Sequence, residues 1–425
     1  MTFDRRSPRG KAILGIAGAL ALAAGAAGAD TIFLSTQLRP IEEASAVRQD
    51  ILKGVEGIEY VVEEPTQFAV RMEAEGEAGR HTISLVGATH GELAPLADKG
   101  MLEPLDGIAA TGIPESLMSL GKLGHQQQQY IPWMQATYVM VAKEEALQYL
   151  PEGADLNALT YDQLIAWGKA MAEATGGPKI GIPAGPKGLL ARFFQGDLYP
   201  SYTGGVVRTF KSPEAVKGWE MMKELWAVTV PTSTNYGFMQ EPILADEVWV
   251  AWDHVARLKE AVVNLPDLHV FPAPAGPKGR GYMPVVAGLA IPKGAPDADG
   301  ARKVIAHLTT PEVQLITAEK VGFFPTLSVP LPDGGDPGIS AMAKAVSATQ
   351  SAPDAVISLL PVGLGDKGGE FNKVYNDTFQ RIVLNGEDIA KVLAEQGQIL
   401  AALMETTKAP CWAPDAKSDG PCPVE

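Results

Sequence analysis

The chain has 425 residues, of which 46% are hydrophobic, and 50 acidic residues against 35 basic ones give it a net charge of −15. A chain of this length and composition can bury a sizeable core in two domains. Its acidic surface repels nucleic acid and anionic lipid, so we expect neither as a partner.

The amino terminus predicts export. Basic residues from Arg5 to Lys11 precede an apolar, Ala/Gly-rich run from Ala12 to Ala27. The small residues that follow predict a cleaved signal peptide over residues 1–29. A retained membrane anchor is the alternative, although the run is shorter than the roughly 20 residues that span a bilayer. Cleavage removes four basic residues and one acidic residue, so the net charge changes from −15 to −18.

Strand-like and helix-like segments alternate along the rest of the chain. The strand predictions are 31–34, 60–62, 83–86, 138–141, 248–251, 268–271 and 285–291. The helix predictions are 42–53, 160–174, 212–227, 254–264, 299–308, 310–321 and 387–407. Thr160 stands three residues before Gln163, which is the spacing of a capping box, and Pro213 and Pro311 occupy first helical turns. The alternation predicts an α/β fold, in which ligands bind beyond the carboxyl ends of strands.

The two cysteines, Cys411 and Cys422, lie in a proline-rich C-terminal tail. In an oxidising compartment this arrangement predicts one disulfide that closes a short loop. A metal pair is the alternative, but no histidine is near in sequence, and we expect no metal.

Sequence motifs of common enzymes are missing. There is no HExxH, no Gly-x-Ser-x-Gly and no Walker loop. The segment 363–368 matches G-x-G-x-x-G, but too little chain follows it to complete a dinucleotide-binding unit. We interpret it as a turn before a helix over 371–383. We therefore expect no enzyme and no cofactor.

A succession of short motifs gives the chain its resemblance to a known family. In chain order, after the signal peptide, the motifs are Ile131–Gln135, Val248–His254, Pro284–Lys293 and Val321–Pro325. Each motif is loose, and their order and spacing over nearly the whole mature chain form the specific signal. The chain resembles extracellular solute-binding proteins of the maltose-binding type, the receptors of carbohydrate ABC importers. Its closest likeness is to binders of α-glucosides and related oligosaccharides.

The resemblance implies a two-lobed periplasmic binding protein fold of type II, whose lobes close on ligand by hinge bending. It also implies a monomer in the periplasm that docks on the permease subunits of an ABC transporter in the inner membrane. The implied first lobe is 30–135 with 290–323, the second lobe is 142–284 with 330–425, and the hinge crossings are 136–141, 285–289 and 324–329.

A sugar offers an apolar face to aromatic rings and a ring of hydroxyls to polar groups. Trp133 and Trp252 are the leading candidates for stacking, with a place in the core as the alternative for each. Asp253 would contact sugar or cap the following helix, and Gly288 would admit ligand near the backbone or permit a hinge. The full set of predicted ligand-binding residues is Gln37, Arg39, Glu42, Thr89, His90, Trp133, Tyr202, Trp252, Asp253, Gly288 and Phe324.

Three other functions stay open at the level of sequence. A polyamine binder would place carboxylates around an aromatic box. A binder of a sugar phosphate or sulfonated sugar would need basic groups in the cleft, and Arg39, Lys187 and Lys278 are the candidates. A secreted hydrolase would turn its substrate over instead of holding it.

Overall fold

The computed structural model describes residues 31–108, 112–327, 329 and 336–425. The predicted signal peptide lies outside these residues, as do position 328 of the third predicted crossing and positions 330–335 of the second predicted lobe. Within the described part of the chain, no helix is long and apolar enough to span a bilayer.

Two main sheets organise the described residues. The larger has the strand order β11-β4-β10-β3-β1-β2, the smaller has the order β6-β7-β5-β8, and β9 pairs with β12 alone. In the larger sheet β1, β2 and β3 are parallel, whereas β10 runs antiparallel to both β3 and β4. The strands are β1 (Thr31–Ser35), β2 (Ile58–Val62), β3 (Leu85–Thr89), β4 (Ile131–Ala136), β5 (Tyr138–Ala142), β6 (Ile180–Gly181), β7 (Val250–His254), β8 (His269–Phe271), β9 (Arg280–Tyr282), β10 (Val285–Ala290), β11 (Phe324–Pro325) and β12 (Ala355–Ile357).

Helices cover both sheets, and π-helical turns follow three of them at Val47–Ile51, Phe194–Leu198 and Gln380–Leu384. The α-helices are α1 (Ile41–Ala46), α2 (Pro65–Ala78), α3 (His90–Asp98), α4 (Glu115–Leu120), α5 (Glu144–Leu147), α6 (Tyr161–Thr175), α7 (Leu190–Phe193), α8 (Tyr199–Thr203), α9 (Pro213–Ala227), α10 (Gln240–Leu244), α11 (Val255–Asn264), α12 (Ala298–Leu308), α13 (Pro311–Val321), α14 (Pro337–Ser351), α15 (Gly368–Phe379) and α16 (Ile389–Thr407). The alternation confirms the predicted α/β class.

Helix starts follow their local sequence signals closely. The Thr160 side chain accepts a hydrogen bond from the Gln163 N–H at 3.2 Å, and the Thr160 N–H donates to the Gln163 side chain at 3.0 Å. The predicted capping box of α6 is therefore present. Two strands end later than predicted. β3 continues to Thr89 instead of ending at position 86, and β7 continues to His254 instead of ending at position 251, because neighbouring strands still pair with both of them there.

The larger sheet lies between two apolar clusters, and one of these extends into the second lobe. This cluster contains Trp133 of β4, Val141 of β5, Ala251 of β7 and Leu258 of α11, all completely buried. We call it the shared core. The two lobes, one built on each main sheet, are thus held together along one side by apolar packing.

The chain passes from the larger sheet to the smaller one at Thr137, which separates β4 from β5. Thr137 is completely buried, and its hydroxyl donates to the carbonyl oxygen of Met283 at 3.1 Å. Its own carbonyl accepts from the Val255 N–H at 3.1 Å. The junction is therefore tied both to the segment before β10 and to the start of α11. The exact limits of the lobes and crossings stay predictions.

The C-terminal tail is fastened to the second lobe. The predicted disulfide between Cys411 and Cys422 is present. Inside the loop that it closes, the Asp415 carboxylate accepts backbone N–H groups of Val206 at 2.9 Å and Val207 at 2.8 Å. The bond and the carboxylate hold the same short segment against the lobe.

Replacing both cysteines by serine, Cys411→Ser with Cys422→Ser, is expected to lower the free energy of unfolding by about 2–3 kcal/mol, because the bond closes a loop of separation 11. Urea unfolding followed by circular dichroism measures the change. Wild-type protein unfolded under reducing conditions is the control and should match the variant. A variant as stable as oxidised wild type would show that the Asp415 contacts hold the tail unaided.

Candidate functional site

Strand ends of the two sheets face each other across the Thr137 junction. In the larger sheet, Thr89 at the end of β3 and Ala136 at the end of β4 both pair with the first half of β10. In the smaller sheet, Tyr138 at the start of β5 pairs with His254 at the end of β7. Along the chain only Thr137 separates the two edges, and we call the region where they meet the cleft. Such edges are where ligands bind in α/β folds.

The first lobe presents the start of α3 to the cleft. The carboxylate of Glu92 accepts from the Thr89 N–H and from the Thr36 hydroxyl, each at 2.7 Å, which fixes the first turn of the helix. Gly91 touches the second lobe, since a Cβ placed there would lie 2.5 Å from the carbonyl oxygen of Pro361. The lobes are therefore in contact beside the cleft, with no room for a side chain at position 91.

The second lobe presents an aromatic stack. The rings of Tyr138 and Trp252 lie parallel, with centroids 4.7 Å apart and an interplanar angle of 6°. Phe193 meets Trp252 edge-on at 5.1 Å, and His254 meets Tyr138 edge-on at 5.3 Å. Tyr138 begins its strand at the cleft, whereas Trp252 pairs further along with Met140. Trp252, predicted to stack on ligand, stacks on Tyr138 from behind.

Trp133, Phe324 and Gly288 lie in packed parts of the first lobe and the shared core. Trp133 is in the shared core with 0% exposure, and its ring centroid lies 5.5 Å from that of Phe33. Phe324 is buried in the same core at 3% exposure. A Cβ added at Gly288 would collide with the ring of Tyr130, so this glycine admits a neighbouring side chain. The structure places Trp133 under the sheet, away from the floor of the cleft.

The predicted residues after β1 lie at the surface. Gln37 is half-buried, and its amide donates to the Thr36 hydroxyl at 3.0 Å. Arg39 forms an ion pair with Glu64, and both side chains are exposed. Glu42 is exposed in the first turn of α1. Of the three, only Gln37 is linked by a hydrogen bond to the first turn of α3, through Thr36.

His90 and Tyr202 occupy different parts of the molecule. His90 lies next to Thr89 at the cleft, and its Nδ1 is 3.0 Å from the hydroxyl oxygen of Tyr130. Burial lowers the pKa of His90 to about 4, so the ring is neutral at physiological pH. Tyr202 packs in the core of the second lobe, 5.8 Å from the ring of Tyr161.

Asp253 points inward and does not cap α11. One of its oxygens accepts from the Met239 N–H at 2.9 Å and the other from the His254 N–H at 2.7 Å. Burial raises the pKa of Asp253 to about 7, against the opposing effect of the Arg257 charge. The cap of α11 is His254, whose Nδ1 accepts from the Ala256 N–H at 3.3 Å. The alternative in which Asp253 caps the helix is therefore wrong.

Residues that sequence reasoning did not single out border the cleft. Arg192 of α7 directly precedes Phe193, whose ring meets Trp252. Arg257 of α11 stands three residues after His254, whose ring meets Tyr138. Burial raises the pKa of Tyr138 to about 12, and the two guanidinium charges oppose that rise. Tyr138 had a signal in the sequence, as the first aromatic residue after the crossing, but no pattern distinguishes Arg192 or Arg257.

The variant His254→Asn is expected to lose less free energy of unfolding than wild type when the pH is lowered. Burial lowers the pKa of His254 to about 3. Between that pH and about 6.5 the unfolded chain therefore binds a proton that the folded chain does not. The neutral His254 side chain therefore makes its full contribution to the free energy of unfolding above about pH 6.5. That free energy is about 2 kcal/mol lower near pH 5, where the unfolded chain is protonated at this residue and the folded chain is not. Asparagine caps helices well without titrating.

The measurement is urea unfolding of wild type and His254→Asn at about pH 7.5 and about pH 5. The stability difference between the two pH values should be smaller in the variant. Identical pH profiles would mean that the folded protein already carries a proton on His254.

Solved structures with a similar fold cover most of this chain. The GacH receptor of Streptomyces glaucescens, solved unliganded and with acarbose or an acarbose homolog, has a TM-score of 0.67 at 17% identity, over 88% of this chain and 98% of the receptor. Maltose-bound MalE3 of T. maritima has a TM-score of 0.68 at 16% identity, over 88% of this chain and 99% of MalE3. UgpB of Mycobacterium tuberculosis in complex with glycerophosphocholine has a TM-score of 0.69 at 17% identity, over 88% of this chain and 98% of UgpB. These likenesses show the two-lobed fold.

The sequence itself shows the family. A search of curated protein sequences finds no match. The family model for the bacterial extracellular solute-binding protein matches residues 58–315, which is more than half of the chain. Members of this family bind solutes for transport and are not enzymes. This chain belongs to the bacterial extracellular solute-binding protein family.

Proposed function

We propose that the chain is the periplasmic substrate-binding component of an ABC importer, which captures a sugar or related polyol and delivers it to a membrane permease. One observation carries the proposal: strand ends of two sheets face each other across a junction of a single residue, Thr137. Family membership and neighbours solved with maltose or acarbose support it. The motifs in the sequence favour an α-glucoside or other oligosaccharide.

Capture would work by closing of the lobes. The shared core holds one side, and the contact between Gly91 and Pro361 forms on the other side as the lobes meet. A ligand shifts the equilibrium toward the closed form only by binding it more tightly than the open form. Tyr138, which is 4% exposed in this arrangement, is the ring that opening of the lobes would offer to the apolar face of a sugar, and the N–H groups in the first turn of α3 suit the sugar hydroxyls.

Delivery requires a membrane partner that distinguishes closed from open protein. In the proposed cycle, a liganded monomer presents both lobes to the permease subunits in the closed arrangement. The solute leaves unchanged, since binding without turnover is what separates such a receptor from a secreted hydrolase.

A thermal-shift screen of monosaccharides, oligosaccharides, polyols, sugar phosphates and polyamines tests the function. At least one sugar or polyol compound should raise the melting temperature in a saturable way, because a ligand that binds only the folded state stabilises it. Calorimetry should give one site per chain, and chromatography should recover the ligand intact. Stabilisation by polyamines alone, or the appearance of hydrolysis products, would contradict the proposal.

The variant Gly91→Ala is expected to bind the ligand found in that screen roughly tenfold more weakly, because the added methyl overpacks the closed contact with Pro361. Alanine also favours the helix, so the melting temperature of the unliganded protein should not fall. Isothermal titration calorimetry measures the affinity.

The matched control is Gly369→Ala. Gly369 is likewise the second residue of a helix, and a Cβ there would meet open space. Equal affinities of the two variants would show that the contact at Gly91 has no part in the ligand-bound form.

A further inference from the structure

The arginines at the cleft differ from most others in their partners. Although acids outnumber bases, neither Arg192 nor Arg257 has a carboxylate oxygen within 4.0 Å among the residues that the structure describes. The arginines that do have one are Arg39, Arg71, Arg208, Arg280, Arg302 and Arg381. Among the described residues Arg48 and Arg80 also lack one, but Arg192 and Arg257 are the two of these four that neighbour the aromatic stack of the second lobe. Their place beside that stack calls for an explanation in terms of function.

Arg192 is held by a neutral partner. Its Nη1 donates to Gln195 Oε1 at 2.8 Å, and the Gln195 amide in turn donates to Asn372 at 2.9 Å. Burial lowers the pKa of Arg192, and Tyr138 and the Glu92 carboxylate of the first lobe oppose that fall. Glu92 already accepts two hydrogen bonds within its own lobe. The guanidinium therefore keeps donors that no described carboxylate occupies.

Arg257 is oriented by its surroundings in a similar way. Its Nη1 donates to the carbonyl oxygens of Lys187 at 3.0 Å and Gly237 at 2.9 Å. The guanidinium lies 4.5 Å from the centroid of the Phe238 ring. Stacking and the two carbonyls fix the plane of the group, while its Nη2 and Nε donors have no partner among the described residues. A planar fork fixed in this way suits an oxyanion.

The other acidic groups on this side of the cleft do not neutralise the arginines. Both oxygens of Asp253 accept backbone N–H groups, and burial raises its pKa to about 7. Asp197 lies completely buried near Trp252, and burial raises its pKa well above the usual range. His254 is neutral because burial lowers its pKa to about 3. The two guanidinium groups therefore keep donors on this side of the cleft that no described carboxylate occupies.

We propose that the ligand of this cleft carries a tetrahedral oxyanion, a phosphate ester, phosphodiester or sulfonate on a sugar or polyol, and that Arg192 and Arg257 bind it on either side of Tyr138. The inference rests on the proposed function, whose ligand class it narrows. Tyr138, which is 4% exposed, is the ring that we assign to the apolar part of the ligand once the lobes open. The predicted cations Arg39, Lys187 and Lys278 are not needed, since Arg39 is paired with Glu64 and both lysines are exposed.

Titration calorimetry tests the inference with neutral and anionic probes. Maltose and glycerol are the neutral probes, glucose 6-phosphate and glycerophosphocholine the anionic ones, and inorganic phosphate reports on the anion site alone. An anionic probe should bind at least tenfold more tightly than its neutral counterpart. Its affinity should weaken as salt is added.

Variants separate the arginines from the rest of the cleft. Arg192→Gln and Arg257→Gln should each weaken the anionic probe roughly 10- to 100-fold, because a charge-assisted hydrogen bond in a half-buried site is lost. Arg192→Lys should recover part of the loss by restoring charge without the fork. The control Arg80→Gln removes an exposed charge before β3, at the opposite edge of the sheet, and should leave binding unchanged. Unliganded melting temperatures show that each variant is folded.

The outcomes distinguish the two proposals. If a neutral sugar binds as tightly as its phosphorylated form and folded glutamine variants bind like wild type, the anion site is refuted while the receptor function stands. If no sugar, polyol or phosphorylated compound binds, the receptor function and the anion site both fall. Selective binding of an anionic probe that depends on both arginines supports the inference.

Discussion

The register of the chain at Thr137 is the constraint on which the cleft depends. Two sheets in different lobes are joined there by one residue, and its hydroxyl and carbonyl are both hydrogen-bonded in a buried setting. A buried polar group left unpaired costs about 1–3 kcal/mol, so sliding the segment along its axis would lose both bonds. Met283 before β10 and Val255 at the start of α11 are thereby held to the same point. The hydrogen bonds of Thr137 therefore help to fix the positions of the groups around the cleft.

Charge is arranged unevenly around that junction. The molecule as a whole is acidic, but next to the cleft the carboxylates of Glu92 and Asp253 are occupied by hydrogen bonds from their own lobes. Cationic donors of Arg192 and Arg257 remain on the second lobe. Screening confines the effect of distant acids to about 8 Å at physiological salt, so the charge that a ligand meets would be set by the groups beside the cleft. Net charge alone would have pointed to the opposite preference.

Local signals in the sequence predicted helix starts such as that of α6, because a cap needs only three or four neighbouring residues, as at Thr160. No prediction covered α2, α3 or α14. The ends of β3 and β7 were misplaced because pairing with distant strands sets them. Nor can a sequence say which face of a strand a tryptophan takes: Trp133 went to the shared core and Trp252 to the layer behind Tyr138. Arg192 lies just before a π-helical turn. Such a turn has no periodic hydrophobic pattern from which the position of Arg192 could have been predicted.

The shared core gives any movement of the lobes a fixed axis. Trp133 and Leu258 belong to different lobes but to one packed cluster, and close-packed side chains resist sliding. Rotation about that cluster leaves its contacts intact, while displacement grows with distance from it. Gly91 and Pro361 lie on the other side, where a small rotation becomes a wide separation. In the proposed cycle, solute would enter from that side, and closing would change the outer contour that a membrane partner contacts.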